Sequence, residues 1–221
     1  MTILQNTVEG KNIEWSENGT NYLAIGNSIT LHDLATYWWD DDRGMAATTN
    51  EKDYVHLISK HLERSSDSVT THSINLPSWE SNGSDRAEFL ELLKPYLSPS
   101  ISVVTIQLGE NAFNLDTWRS DYEELINYVK NGAPNASIYV IGDFWSNENR
   151  GSEKEQVSIA CGVTYVSPDG IKDNKEYYSS IGTEVEDSEG KLHTIDHQGV
   201  ANHPSDKGME AIADRVIEMM K

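Results

Sequence analysis

Tyr22-Leu23-Ala24-Ile25-Gly26-Asn27-Ser28-Ile29-Thr30 is a short apolar run that stops at a turn of small polar residues. A buried strand ending this way leaves a hydroxyl at the carboxyl edge of a sheet, where open α/β folds bind ligands. The N–H groups that follow suit an anion or a developing oxyanion. The plainer reading is a strand and turn in which Ser28 only caps the next segment.

Further runs repeat the pattern. Ser68 to Ile74 reads as a second strand, and Ser100 to Leu108, with Ile101, Val103, Val104, Ile106 and Leu108, as the clearest buried one. Ser137 to Ile141 and Val163 to Val166 follow as strands four and five. Between them lie helical stripes. Tyr54, Val55, Ile58 and Leu62 fall on one face of a helix over 51–64, and Trp118, Tyr122, Leu125, Ile126 and Val129 on one over 117–130. Helices are also expected over about 85–94 (with Ser84 as N-cap), over 152–160, and over 206–220. Asn12 to Trp15 reads as a short edge strand, and 167–202 as a long irregular stretch. Strand and helix alternate without a linker or repeat, so the expectation is one domain over 1–221: a three-layer α/β/α sandwich on a five-stranded parallel sheet.

Composition narrows the function. The 221 residues hold 36 acidic and 17 basic side chains, a formal charge of −19. That field repels phosphate backbones and anionic lipid, which argues against nucleic-acid or membrane partners. No apolar run is long enough to span a bilayer. The first residues, Met1 to Asn6, lack a basic region followed by an apolar core, so a cytoplasmic protein is the expectation. Cys161 is the only cysteine. It sits in an apolar context and reads as a small core residue.

Three residues fall where this fold would gather them: Ser28 after strand one, Asn111 after strand three, and His203 before the last helix. Serine needs a base to become a nucleophile, and histidine titrates in the right range. An asparagine amide donates to an oxyanion without carrying charge. The blocks Gly26-Asn27-Ser28, Gly109-Glu110-Asn111-Ala112 and Val200-Ala201-Asn202-His203-Pro204 together resemble those of the SGNH (GDSL-type) esterases and acylhydrolases. The resemblance runs from Gly26 to the final helix and implies a flavodoxin-like sandwich. It implies Ser28 as nucleophile, His203 as base and Asn111 as oxyanion donor. In that family the first block is Gly-Asp-Ser, the third ends in Asp, and the last carries an acid at the place of Val200. With that acid missing, His203 must be a dyad base, or be oriented by a backbone carbonyl or by a relocated acid, for which Asp196 is the candidate. The second block falls at 75–83, where Trp79 and Glu80 stand near the position of an oxyanion-donating glycine, with Gly83 as the alternative position. Trp79, Glu80 and Gly109 therefore join Asn111 as candidate oxyanion or substrate contacts; His32, four residues past Ser28, is a further candidate that would line the pocket or just cap a turn.

The loop from Leu31 to Gly44, dense in aromatics and acids, is a candidate wall for a polar ring; its tryptophans would otherwise pack beneath it. Aromatics and acids at 37–42, with Trp79 and Trp145, suit a sugar better than a long acyl chain. The expected reaction is removal of a small O-acyl group from a carbohydrate; the alternatives are acyl transfer to a sugar hydroxyl and non-catalytic sugar binding. His193-Thr194-Ile195-Asp196-His197 would gather two imidazoles and a carboxylate on a helix, but Gly190 and Gly199 make it a solvated loop. No metal and no cofactor is expected.

Overall fold

The structure, a computed structural model, describes residues 13–83 and 85–220. Five parallel strands form its central sheet: β1 (Thr20–Gly26), β2 (Val69–Asn75), β3 (Val103–Gln107), β4 (Ser137–Ile141) and β5 (Thr164–Val166). Their order is β2-β1-β3-β4-β5, so the chain reverses its direction of travel across the sheet between β1 and β3. Register places Gly26 beside Asn75 on one side and Gln107 on the other. The loops that leave β1, β2 and β3 thus start level with one another at the edge where such sheets bind ligands.

Alternation along β1 divides the core into two layers. Leu23 and Ile25 join Val104, Ile106, Ile138 and Val140 against α3 (Trp118–Gly132) and α4 (Glu148–Ala160). On the opposite face Tyr22 and Ala24 pack with Tyr139 and Ile141 against α1 (Tyr54–Leu62) and α6 (Asp206–Met219). Cys161 lies buried in the first layer. Among the described residues no helix is long and apolar enough to cross a membrane.

Local chemistry moves several boundaries. Asp53 caps α1 by accepting from the His56 N–H at 2.7 Å, so the α-helix starts at Tyr54, with a 3-10 turn over Asn50–Lys52 before it. The second block coils into a short helix, α2 (Pro77–Ser81), with proline at its first turn. A 3-10 segment, Arg86–Leu93, takes the place of the expected α-helix; Ser84 lies outside the described residues. Asn147 caps α4, accepting from the Arg150 N–H, which starts that helix at Glu148. Residues 13–15 form no strand: Ile13 and Trp15 pack on the first core layer, and the Trp15 Nε1–H donates to Tyr96 O at 2.9 Å. Asn12 is outside the described residues.

The 167–202 stretch is also more ordered than its polarity suggests. It carries a 3-10 turn (Lys175–Tyr177), a two-stranded antiparallel hairpin of β6 (Glu184–Glu186) and β7 (Leu192–Thr194), and a four-residue helix, α5 (Gln198–Ala201). A third apolar cluster, Trp38, Met45, Ala46, Val185, Ile195, Val200 and Ala201, binds this region to the 31–47 loop.

Candidate active site

Ser28 sits in a tight turn directly after β1. The Asn27 side chain accepts from the Ile29 N–H at 2.9 Å, and the Asn27 carbonyl from the N–H groups of Thr30 and Leu31. Gly26 has no room for a side chain, since a Cβ there would lie 1.8 Å from Thr30 Oγ1. Among the described residues no acceptor takes the Ser28 N–H.

The Ser28 hydroxyl lies 2.8 Å from His203 Nε2, across 175 positions of sequence. His203 follows α5, and its Nδ1 lies 2.7 Å from the carbonyl of Gly199, one turn back. The carbonyl can only accept, so Nδ1 carries the proton and Nε2 is left to accept from the serine. Asp196, the candidate acid, does not take that place. It is exposed, and among the described residues no hydrogen bond joins it to the imidazole. The expected acid position is apolar for a reason: Val200 is fully buried in the third cluster.

Burial pushes the His203 imidazolium down to about pKa 4, with nearby His32 adding to the shift and the Gly199 carbonyl opposing it. A carbonyl dipole offsets less of the desolvation than a carboxylate charge would. The His32 imidazole is itself held below its usual value by burial, and its Nδ1 lies 2.6 Å from Asp33 O. Trp145 stands edge-on to His203 with ring centroids 5.0 Å apart, and its Nε1–H donates to Asn202 O at 3.2 Å.

Asn111 reaches the same edge from the loop after β3. Its Nδ2 donates to Glu80 Oε2 at 2.6 Å. Glu80, on α2, is fully buried. Its other oxygen accepts from Asn27 Nδ2 at 3.0 Å and from the Gly109 N–H. Glu80 is therefore an internal group rather than a surface contact, and Gly109 spends its N–H inside the protein rather than on a ligand. Gly109 has φ +141°, a backbone conformation that disfavours a side chain. Trp79 is likewise internal: it is fully buried between Trp118, 5.6 Å away, and Tyr122, 5.7 Å away. It offers no ring to a sugar.

A second carboxylate, Glu110, lies behind this cluster. It accepts from Gln107 Nε2 at 2.9 Å, Asn27 Nδ2 at 3.2 Å and the Phe144 N–H at 2.7 Å. Burial raises its carboxyl to about pKa 7, reinforced by nearby Asp143. Asp143 pairs with Arg150 at 2.6 Å and Lys154 at 2.9 Å, all three buried. Arg150 also donates to the carbonyls of Glu110 and Trp145, tying α4 to both sides of the site. Neither Glu110 nor this cation pair was signalled by the sequence, where one acid among 36 carries no mark of its depth.

Of the aromatic loop, Trp38 is core, whereas Tyr37 stacks on His197 at 4.7 Å and Trp39 on His193 at 4.6 Å. His193 also pairs with Asp187 at 2.7 Å. The two imidazoles are thus each engaged by a different ring.

No family model matches the chain, and no curated protein matches it by sequence. Solved structures do. A protein from Bacteroides ovatus described as a GDSL-like lipase superposes with a TM-score of 0.56 at 13% identity, over 91% of this chain and 98% of that one. Phospholipase A1 from Streptomyces albidoflavus gives 0.56 at 13% identity, over 90% and 99%. A family two carbohydrate esterase from Clostridium thermocellum gives 0.57 at 16% identity, over 91% of this chain and 63% of that one. The parallel sheet, with the blocks at 26–28, 109–111 and 200–204 meeting at its carboxyl edge, therefore has the fold of the SGNH (GDSL-type) hydrolases.

Proposed function

We propose that the protein is a serine ester hydrolase that works through an acyl-enzyme. The observation that carries this reading is the 2.8 Å contact between Ser28 Oγ and an imidazole nitrogen left free to accept a proton. His203 Nε2 takes the hydroxyl proton as Ser28 Oγ attacks the ester carbonyl carbon. The carbonyl oxygen becomes an oxyanion received by the Ser28 N–H and the second N–H of the Asn111 amide. Collapse breaks the bond to the alkoxy oxygen, which leaves as an alcohol with the proton from Nε2, and the acyl group stays on Ser28. Water then attacks by the same route in reverse roles, releasing the acid and restoring the hydroxyl.

The substrate we favour is a carbohydrate carrying small O-acyl groups. Trp145 stands beside the base and Tyr37 is half-buried on the adjoining loop. A similar fold occurs in a two-domain esterase active on acetylated mannans, at 15% identity, a TM-score of 0.58, and over 91% of this chain and 49% of that one.

Incubation with p-nitrophenyl acetate tests the reaction. Wild type is expected to release phenolate with turnover, and Ser28→Ala to fall by about 10³-fold or more, the scale for loss of a nucleophile that acts with its base. Equal rates for the two would remove Ser28 from the mechanism.

A further inference from the structure

The Glu80 carboxylate sits at the junction of three chain segments that are far apart in sequence. Oε2 accepts from the Asn111 amide at 2.6 Å, while Oε1 accepts from the Asn27 amide at 3.0 Å and from the Gly109 N–H. Asn27 precedes the candidate nucleophile, and Asn111 is the candidate oxyanion donor. All of these contacts donate to Glu80, a pattern that only an acceptor-only carboxylate satisfies in full. Burial opposes the charge and raises the Glu80 carboxyl above its ordinary value, and these hydrogen bonds, with Lys154 nearby, pull it back.

The geometry has a chemical consequence. A side-chain amide has two faces, one donating and one accepting, and a rotation about its last torsion exchanges them. An anion at 2.6 Å from Nδ2 fixes the Asn111 amide with its nitrogen turned to Glu80. One N–H is spent on the clamp and the other is left to donate to a ligand. Turned over, the amide would set Oδ1 against the carboxylate and put no donor on the oxyanion. The opposite oxygen does the same for Asn27, whose own Oδ1 is then free to accept from the Ile29 N–H and close the turn that carries Ser28.

We propose that Glu80 is a positioning residue for this site: as a buried anion it holds the Ser28 turn and the Asn111 amide in one register and sets the way the amide faces. This rests on the esterase reading above. Glu80 itself does not contact the reacting atoms in this account. Its effect passes through Asn27, Gly109 and Asn111.

Kinetics of p-nitrophenyl acetate hydrolysis test it on the purified full chain, with Ser28→Ala, Asn111→Ala, Glu80→Gln and the double variant Glu80→Gln/Asn111→Ala. Glutamine keeps the shape but replaces one acceptor with a donor, so it cannot satisfy both amides. Glu80→Gln is expected to lower kcat about 10²-fold, the scale of a lost oxyanion donor, with KM changed less than about threefold, since the clamp matters most where charge develops. In the Asn111→Ala background the same change should cost much less, because the amide it orients is gone. A residue that is merely structural would lower both backgrounds equally. Wild-type kcat in Glu80→Gln, or losses that multiply in the double variant, would overturn the proposal.

Should Glu80→Gln fail to give a cooperatively unfolding protein, Glu80→Asp keeps an acceptor-only carboxylate and draws it back by one methylene from both amides. A kcat loss in Glu80→Asp that largely vanishes in the Asn111→Ala background then supports the clamp, and equal losses in the two backgrounds overturn it. Activity surviving in Ser28→Ala would instead sink the esterase reading, whatever Glu80 does.

Discussion

At the scale of single residues, the proposed base, His203, is set apart by what stands behind it. A carbonyl in place of a carboxylate orients the ring and fixes the tautomer but contributes only a dipole to the imidazolium. Burial is the largest cause that brings the His203 pKa down to about 4; His32 adds to it, and the Gly199 carbonyl opposes it. The base works only when neutral, so it is available above that value and lost below it. The pH profile of kcat/KM should therefore stay level on its acid side well below the ordinary histidine range of about 6.5, and fall with a midpoint near 4. An acid limb at 6 to 7 would mean that the ring is solvated or faces an anion. Sequence reached Ser28, His203 and Asn111 because each sits in a short block. It named Asp196 as a possible orienting acid because a carboxylate can be read from letters, whereas a carbonyl belongs to every residue and shows itself only in the fold.

At the scale of elements, α5 is the piece on which the base depends, since it supplies the Gly199 carbonyl. Four residues are too few to hold as an isolated helix. The third apolar cluster and the stacked pairs Tyr37–His197 and Trp39–His193 hold it instead. This packing explains Val200. A carboxylate there would enter a cluster of Trp38, Met45, Val185 and Ile195, and the cation at its border, Arg43, 5.3 Å from the Trp38 ring centre, is already engaged by Asp40, Asn50 and the Glu186 carbonyl. Val200→Asp is expected to lower stability by about 3 kcal/mol or more, the scale for an unpaired buried polar or charged group, and to reduce esterase activity rather than raise it. Denaturant unfolding and the acetate assay check both; a stable, faster variant would show that the helix turns to present the acid. Apart from the reading that tryptophans of the 31–44 loop pack beneath it, which holds for Trp38, this packing was not legible in the sequence. β6 and β7 are three residues each, too short for alternation to register. The stacks join residues more than 150 positions apart, so no local pattern carries them. Trp79 misled for the same reason: its partners, Trp118 and Tyr122, were read as a buried stripe, but what would cover that stripe was not written beside it.

For the whole molecule, the parallel sheet was the most legible feature, because strands buried on both faces read as continuous apolar runs separated by amphipathic helices. The order β2-β1-β3-β4-β5 then does what no motif can: it places the ends of β1, β2 and β3 side by side, so that Ser28, Glu80 and Asn111 meet. His203 comes to them from the far end of the chain, over α5. In the proposed reaction this meeting makes the Ser28 oxygen a nucleophile that carries the acyl group between two half-reactions. Rapid acid quench during turnover of an acetyl ester, followed by mass spectrometry of the peptide containing Ser28, tests it most directly. A mass increase of about 42 Da, one acetyl group, is expected on Ser28 in wild type, absent from Ser28→Ala and abolished by His203→Ala. Turnover at full rate with an unmodified Ser28 and the acetyl group on another residue would contradict it.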